Sequence, residues 1–177
     1  MRKLIFRTVL LLIIIFAINT NTYSQVGSSI SYSVDKALGF NVFYTLKKDT
    51  YYVGYSHQFN GQKNEVVSER KSNYGTTIID DGDFYWLIDL GYSRVFFESL
   101  SIQPEISFGS KKYFTSYKDN RFKDGGYSLI DDTKGIIGLG MNLGYRVNGY
   151  FEPYVGFHSI KKLTFGVRIH FNQLFAI

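Results

Sequence analysis

The chain has 177 residues, 45% of them hydrophobic and 18% aromatic, with 17 Gly, 2 Pro and a formal net charge of +5. That length suits one domain, and that hydrophobicity excludes a disordered chain. With no Cys, a disulfide scaffold, a thiolate metal site and a lipid anchor on an N-terminal Cys are excluded as well.

The first segment reads as an address. Residues 1–8 carry Arg2, Lys3 and Arg7 and no acid, and Val9 to Ile18 is an unbroken apolar run. Ten residues rise about 15 Å as a helix, half of a hydrocarbon core, which is too short for a comfortable span. Basic, apolar, then polar and small residues is the order of a secretory signal peptide. Thr22 and Ser24 fit the −3 and −1 positions of a cut before Gln25. The expected organisation is therefore a cleaved signal peptide, 1–24, and a single domain, 25–177. Losing the three cations of that segment takes the net charge from +5 to +2. The basic character thus gives no argument for a nucleic-acid partner.

Beyond the signal, apolar and polar residues alternate with period two, the pattern of strands with one apolar face. A weak first run has Ile30, Tyr32 and Val34 among serines. Stronger runs carry Leu38 to Leu46, Tyr51 to Phe59, Phe84 to Tyr92, Leu100 to Phe108, Ile137 to Val147, Phe151 to Phe157 and Leu163 to Phe171 on their apolar faces. Tight turns are expected at Lys48-Asp49, around Phe97 to Ser99, and at Asn148-Gly149. Two long polar stretches, Asn60 to Asp83 and about Lys111 to Thr133, read as loops. With eight strands all three tight turns fall at one end, both long loops fall at the other, and the chain ends meet. Short inner turns and long outer loops are the rule for outer-membrane barrels.

The second face of these strands carries Asp89, Glu105, Arg146, Glu152 and Arg168, with Gln103, Asn142, His170 and many glycines. It is too charged for an apolar core. It fits the interior of a membrane barrel, where small residues make room for a few large polar ones. If Val147 lies opposite Phe151 across the Asn148-Gly149 turn, Arg146 faces Glu152 on the inner face. The expected result is an internal ion-pair network that plugs the barrel, because eight strands leave an interior that side chains can fill. A narrow water-filled channel lined by the same charges is the alternative.

The signal, the eight alternating runs and the final LTFGVRIHF segment resemble small Gram-negative outer-membrane β-barrels of the OmpA/OmpX-like kind. The resemblance implies an all-β fold, an eight-stranded antiparallel up-and-down transmembrane β-barrel in the outer membrane. It also implies outer-membrane lipid as surroundings and a role for the barrel-assembly machinery in biogenesis, with Phe171 as the aromatic residue that the machinery reads. A monomer without cofactor is expected.

Few residues suit catalysis. Ser56-His57 and His158-Ser159 are adjacent pairs, and neighbours on a strand point to opposite faces, so neither makes a nucleophile and base. His57 and His158 read as rim histidines without a role, and three isolated His make a poor metal site. Asp80, Asp81 and Asp83 invite a calcium reading, but DDGD lacks the spacing and distal Glu of a calcium loop, so a solvated turn is favoured. Lys111, Lys112, Lys118, Arg121 and Lys123, interleaved with Tyr113, Phe114, Tyr117 and Phe122, have the chemistry to grip lipopolysaccharide phosphates. An ordinary solvated loop is the favoured alternative there. The commitment is a non-enzymatic barrel with a structural or interaction role through its loops. The rivals are a lipid A-modifying barrel enzyme and a soluble periplasmic lipocalin-like carrier, which would need the apolar face turned inward.

Overall fold

A computed structural model describes residues 24–59, 64–97, 99–147 and 149–171. Residues 1–23, which are nearly all of the segment expected to be a signal peptide, the turn residue Asn148 and the tail after Phe171 lie outside the described residues. Among the described residues nine strands form one sheet: β1 (Ser24–Ser33), β2 (Ala37–Leu46), β3 (Asp49–Gln58), β4 (Glu65–Val67), β5 (Ile78–Phe96), β6 (Leu100–Lys118), β7 (Gly126–Tyr145), β8 (Phe151–His158) and β9 (Lys162–His170). Eight of them close a ring of antiparallel neighbours, β1-β2-β3-β5-β6-β7-β8-β9, and β9 pairs back onto β1 with Gly27 opposite His170. Closure leaves no open edge within the ring.

The expected eight barrel strands are present, and β4 is an addition to them. It pairs in parallel with the far end of β7, Glu65 opposite Tyr127. The first tight turn sits at Lys47 and Lys48 rather than Lys48 and Asp49, with Leu46 opposite Asp49 and Lys47 at a φ of 57°. β1 begins and β9 ends at the end of the barrel that carries the short turns.

The larger correction concerns the long loops. Lys111 to Lys118 belong to β6, and Gly126 to Thr133 belong to β7, paired as one long hairpin, so only 119–125 connect them. Asp80, Asp81 and Asp83 lie in β5, opposite Ser116, Thr115 and Tyr113, and not in a turn. These strands run on beyond the apolar belt, where the alternation that marks a spanning strand disappears although Phe114, Ser116, Tyr127 and Ser128 are still buried.

Within the belt the alternation is strict. Phe40, Val53, Ile88, Ile106, Leu139, Val155 and Phe165 point outward and are exposed, while Asn41, Ser56, Asp89, Glu105, Glu152 and Arg168 point inward and are buried. From Phe84 to Phe96, β5 runs about 40 Å, or about 30 Å of height at a tilt near 40°. Aromatic residues mark both rims. Tyr44, Tyr51 and Tyr92 align across β2, β3 and β5 at the short-turn end, and His57 and Trp86 align near the other. His57 packs there against Tyr55, Phe59 and Phe84 on the outer surface.

Glycine matters where rings cross the interior. A Cβ on Gly91 would lie 1.8 Å from Cζ of Tyr52, and one on Gly166 would lie 2.3 Å from Cζ of Tyr154. Gly91→Val is therefore expected to displace Tyr52 and to reduce the folded fraction recovered in lipid, checked as the heat-shifted band on a gel. A normal yield would show that the ring has room to move.

Candidate functional site

The barrel interior is built in layers. Nearest the long hairpins, Ala37, Tyr85 and Leu87 pack with Ile136 and Ile160 into an apolar stopper. Below it lies a polar layer centred on Asp89 of β5 and Glu105 of β6. Lys161, from the turn between β8 and β9, reaches down into this layer. Its Nζ is 2.5 Å from Glu105 Oε1 and 3.0 Å from Asp89 Oδ2. Tyr52 Oη donates to Glu105 Oε2 at 3.0 Å, Ser107 Oγ donates to Asp89 Oδ1 at 2.5 Å, and Ser56 Oγ donates to Asp89 Oδ2.

His158 completes this layer, and its position corrects the expectation of an idle rim residue. Its side chain is buried, with Nε2 3.0 Å from Ser107 Oγ and Nδ1 accepting the backbone N–H groups of Ile160 and Lys161, each at 3.1 Å. An Nδ1 that accepts two donors leaves the proton of a neutral ring on Nε2. His158 then donates to Ser107, which donates to Asp89. The structure thus brings a serine, a histidine and an aspartate together in a pairing the adjacent Ser-His dipeptides do not suggest. The polarity runs opposite to catalytic need, because a general base must offer its lone pair to the serine proton. The chain of bonds also fixes the β8–β9 turn, which is what seats Ile160 and Lys161.

The next layer is aromatic. The Arg168 guanidinium lies 5.2, 5.3 and 5.8 Å from the ring centres of Phe43, Tyr52 and Tyr154. Its nitrogens reach Gln103 Oε1 at 2.9 Å and Glu152 Oε1 at 3.2 Å. Glu152 is 0% exposed and holds the inner polar layer together. It accepts from Ser101 Oγ at 2.7 Å and Gln103 Nε2 at 3.0 Å, with Arg146 Nη2 3.3 Å away and His170 Nε2 3.6 Å away. Arg146 and Glu152 therefore face each other across the turn. The two layers carry three carboxylates and three cations, so the interior charge sums to zero when both histidines are neutral.

Arg146 is the most peripheral of the cations, with 18% of its side chain exposed, and Arg168 also holds Glu152. Arg146→Ala is expected to cost about 1 kcal/mol, at the lower end for a partly solvated charge-assisted pair. A urea midpoint in lipid equal to that of the unmodified protein would show that the pair contributes nothing.

Outside the belt, the candidate cations are dispersed. Lys111 is paired with Asp83 at 3.0 Å beside Tyr113, and Arg121 is committed to Asp119. Along β6, Lys111 and Lys118 stand about 23 Å apart, and Lys112 points to the opposite face. Lys123 sits in the exposed connection. The five do not converge on one phosphate-sized site.

The tip of the hairpin is tied down by an aromatic cluster instead. Tyr127 is fully buried, packs against Tyr74, Tyr117 and Phe122, and donates to the carbonyl of Gly75 at 2.7 Å. Asp119 accepts from the Gly75 N–H at 2.9 Å and from Arg121 Nε at 2.8 Å, and the Arg121 guanidinium covers Tyr74 at 5.1 Å. The Arg121 and Gly75 donors hold the Asp119 carboxyl far below its ordinary range. A carboxyl depressed in the folded state contributes stability above its unfolded pKa and loses it as pH falls through the folded one. The tip should therefore stay ordered well below pH 4, whereas Asp119→Asn should open residues 64–77 to protease at neutral pH. Equal digestion of both proteins would contradict this.

Among the described residues no helix is long and apolar enough to cross a membrane, and no group of three or more His, Cys, Asp or Glu is placed to hold a metal ion. The decisive observation is the inversion of the barrel: apolar side chains outside, ion pairs within. A lipocalin-like carrier requires the reverse. The fold is that of a small outer-membrane β-barrel. No family model matches the chain, and no curated protein matches it in sequence. Among solved structures, the chain is similar to Ail, the attachment invasion locus protein of Yersinia pestis. The identity is 14% and the TM-score 0.43, over 83% of this chain and 92% of that one. Ail in complex with the heparin analogue sucrose octasulfate gives 13% and 0.45 over the same shares. Neisserial surface protein A gives 11% and 0.42, over 82% of this chain and 94% of that one.

Proposed function

We propose that this chain is an integral outer-membrane barrel without catalytic activity, closed by its own interior, that acts structurally or through the hairpin projecting from its outer end. The inverted barrel carries the reading. A closed ring with an apolar belt and a paired, charged interior is stable only with hydrocarbon around it. In water the exposed Phe, Leu, Ile and Val of the belt would drive association.

Three features support closure. The stopper covers the outer mouth, Lys161 fills the space between Asp89 and Glu105, and Arg168 with its three rings occupies the middle. The Ser107–His158–Asp89 arrangement, with its proton on the wrong side for a general base, supports a non-enzymatic role. The projecting sheet of β4, β5, β6 and β7 is the part available to partners outside the cell, among which lipopolysaccharide phosphates remain chemically suited to the exposed lysines. The assembly machinery would act during insertion, and the single ring fits a monomer.

The absence of Cys makes the topology directly testable. Lys123→Cys should react with an impermeant maleimide on intact cells, whereas Lys48→Cys should react only after the outer membrane is breached. Labelling of Lys48→Cys but not Lys123→Cys on intact cells would invert the barrel and remove the proposed role.

A further inference from the structure

The outer wall of the barrel carries a groove of ≈ 400 Å³ between β5, β6 and β7, lined by Leu90, Tyr92, Pro104, Ile106 and Leu139. Its cause is local. The β5–β6 ladder runs to Gly91 opposite Glu105 and resumes only at Arg94 opposite Ile102. Pro104 lies in that interruption and has no N–H to give to the ladder. The groove therefore opens in the middle of the apolar belt and runs toward the short-turn end.

At that end the surface changes character. Arg94 follows Tyr92 by two residues on the same outer face, about 7 Å along the strand. Arg94 Nη1 lies 3.5 Å from Asp49 Oδ1, and Tyr92 Oη donates to the same oxygen at 2.5 Å. Both charged side chains remain open to the surroundings, 53% and 33% exposed. An exposed ion pair of this kind does little for folding. It does place a guanidinium and a carboxylate side by side at headgroup depth, the guanidinium on a strand that borders the apolar groove.

We infer that this corner binds one phospholipid of the inner leaflet, a zwitterionic glycerophospholipid carrying a primary ammonium. Its phosphate meets Arg94, its ammonium meets Asp49, and one acyl chain lies in the Pro104 groove. The guanidinium fork matches phosphate oxygens. The carboxylate selects the headgroup, because a primary ammonium has N–H donors for Asp49, a trimethylammonium has none, and an anionic glycerol headgroup brings no second positive charge. This rests on the reading of the barrel as membrane-spanning, with its short turns at the inner face.

The test is native mass spectrometry of the refolded barrel in detergent, with palmitoyl-oleoyl phosphatidylethanolamine, phosphatidylcholine and phosphatidylglycerol supplied in equal amounts. Folding is verified by the gel shift on heating. The ethanolamine lipid is expected to be retained about fivefold over the other two, the discrimination one partly exposed charge pair can provide. Asp49→Asn should abolish that preference, whereas Arg94→Gln, through the phosphate the lipids share, and Leu139→Trp, which fills the groove, should each reduce retention of all three lipids alike. Equal retention of the three by the folded unmodified barrel, a preference that survives Asp49→Asn, or retention unchanged by Arg94→Gln overturns the inference while leaving the barrel reading intact. A protein that stays soluble without detergent and shows no heat shift overturns both.

Discussion

Lys161→Met is expected to lower the unfolding free energy of the barrel in lipid by about 3–5 kcal/mol, the cost of stripping a buried ion cluster of its partner. Lys161 is 6% exposed and is the cation that touches both Asp89 and Glu105. Without it two carboxylates face each other in an enclosed space, where like charges cannot comfortably coexist. Removing one of those charges should recover most of the loss, so Lys161→Met with Glu105→Gln should be clearly more stable than Lys161→Met alone. Urea titration in vesicles reads this through Trp86, the one Trp of the chain, which lies on the outer surface at the rim of the belt. A single variant as stable as the unmodified protein would mean that water already reaches the acids, and with it that the interior is open.

The second large effect is at the inner layer. Glu152→Leu removes the carboxylate that both Arg146 and Arg168 approach. It also leaves Ser101 and Gln103 without the acceptor they share. The expected loss is again about 3–5 kcal/mol. Glu152→Gln should lose less, because it keeps an acceptor for Ser101 while giving up the charge. Equal losses in the two variants would place the contribution in the ion pairs and not in the hydrogen bonds.

The two layers were not equally legible in the sequence. A strand side chain alternates faces without exception, so Asp89, Glu105, Arg146, Glu152 and Arg168 could be placed inside from period two alone. A short turn was enough to bring Arg146 opposite Glu152. Lys161 is invisible to that reasoning. It lies in the turn between β8 and β9, where alternation stops, and Lys162 beside it is exposed. Bookkeeping of charge was the available signal: three inward acids against two inward arginines asks for a third cation, and the apolar Ile160 in an otherwise polar turn hints at where it enters.

His158 reads from the sequence as an idle rim residue. Its partners, Ser107 and the backbone of 160 and 161, are set by turn geometry that no residue pattern encodes. The outer hairpin was hidden for a different reason. Past the belt no lipid face has to be covered by apolar side chains, so apolar alternation ends several residues before the strands do. Asp80 to Asp83 and Lys111 to Lys118 consequently look like loop. The tip that holds them, Tyr74, Tyr117, Phe122 and Tyr127 around the Asp119–Arg121 pair, joins segments some 50 residues apart and could not be assembled from local spacing.

The central claim is that this barrel turns its apolar face to lipid and its charges to a closed interior. Cell fractionation followed by boiled and unboiled samples on one gel tests it most directly. The account predicts recovery with the outer membrane and a band that moves on boiling, as a closed barrel resists detergent until heated. Release with the soluble periplasm, and one mobility with or without heat, would contradict it.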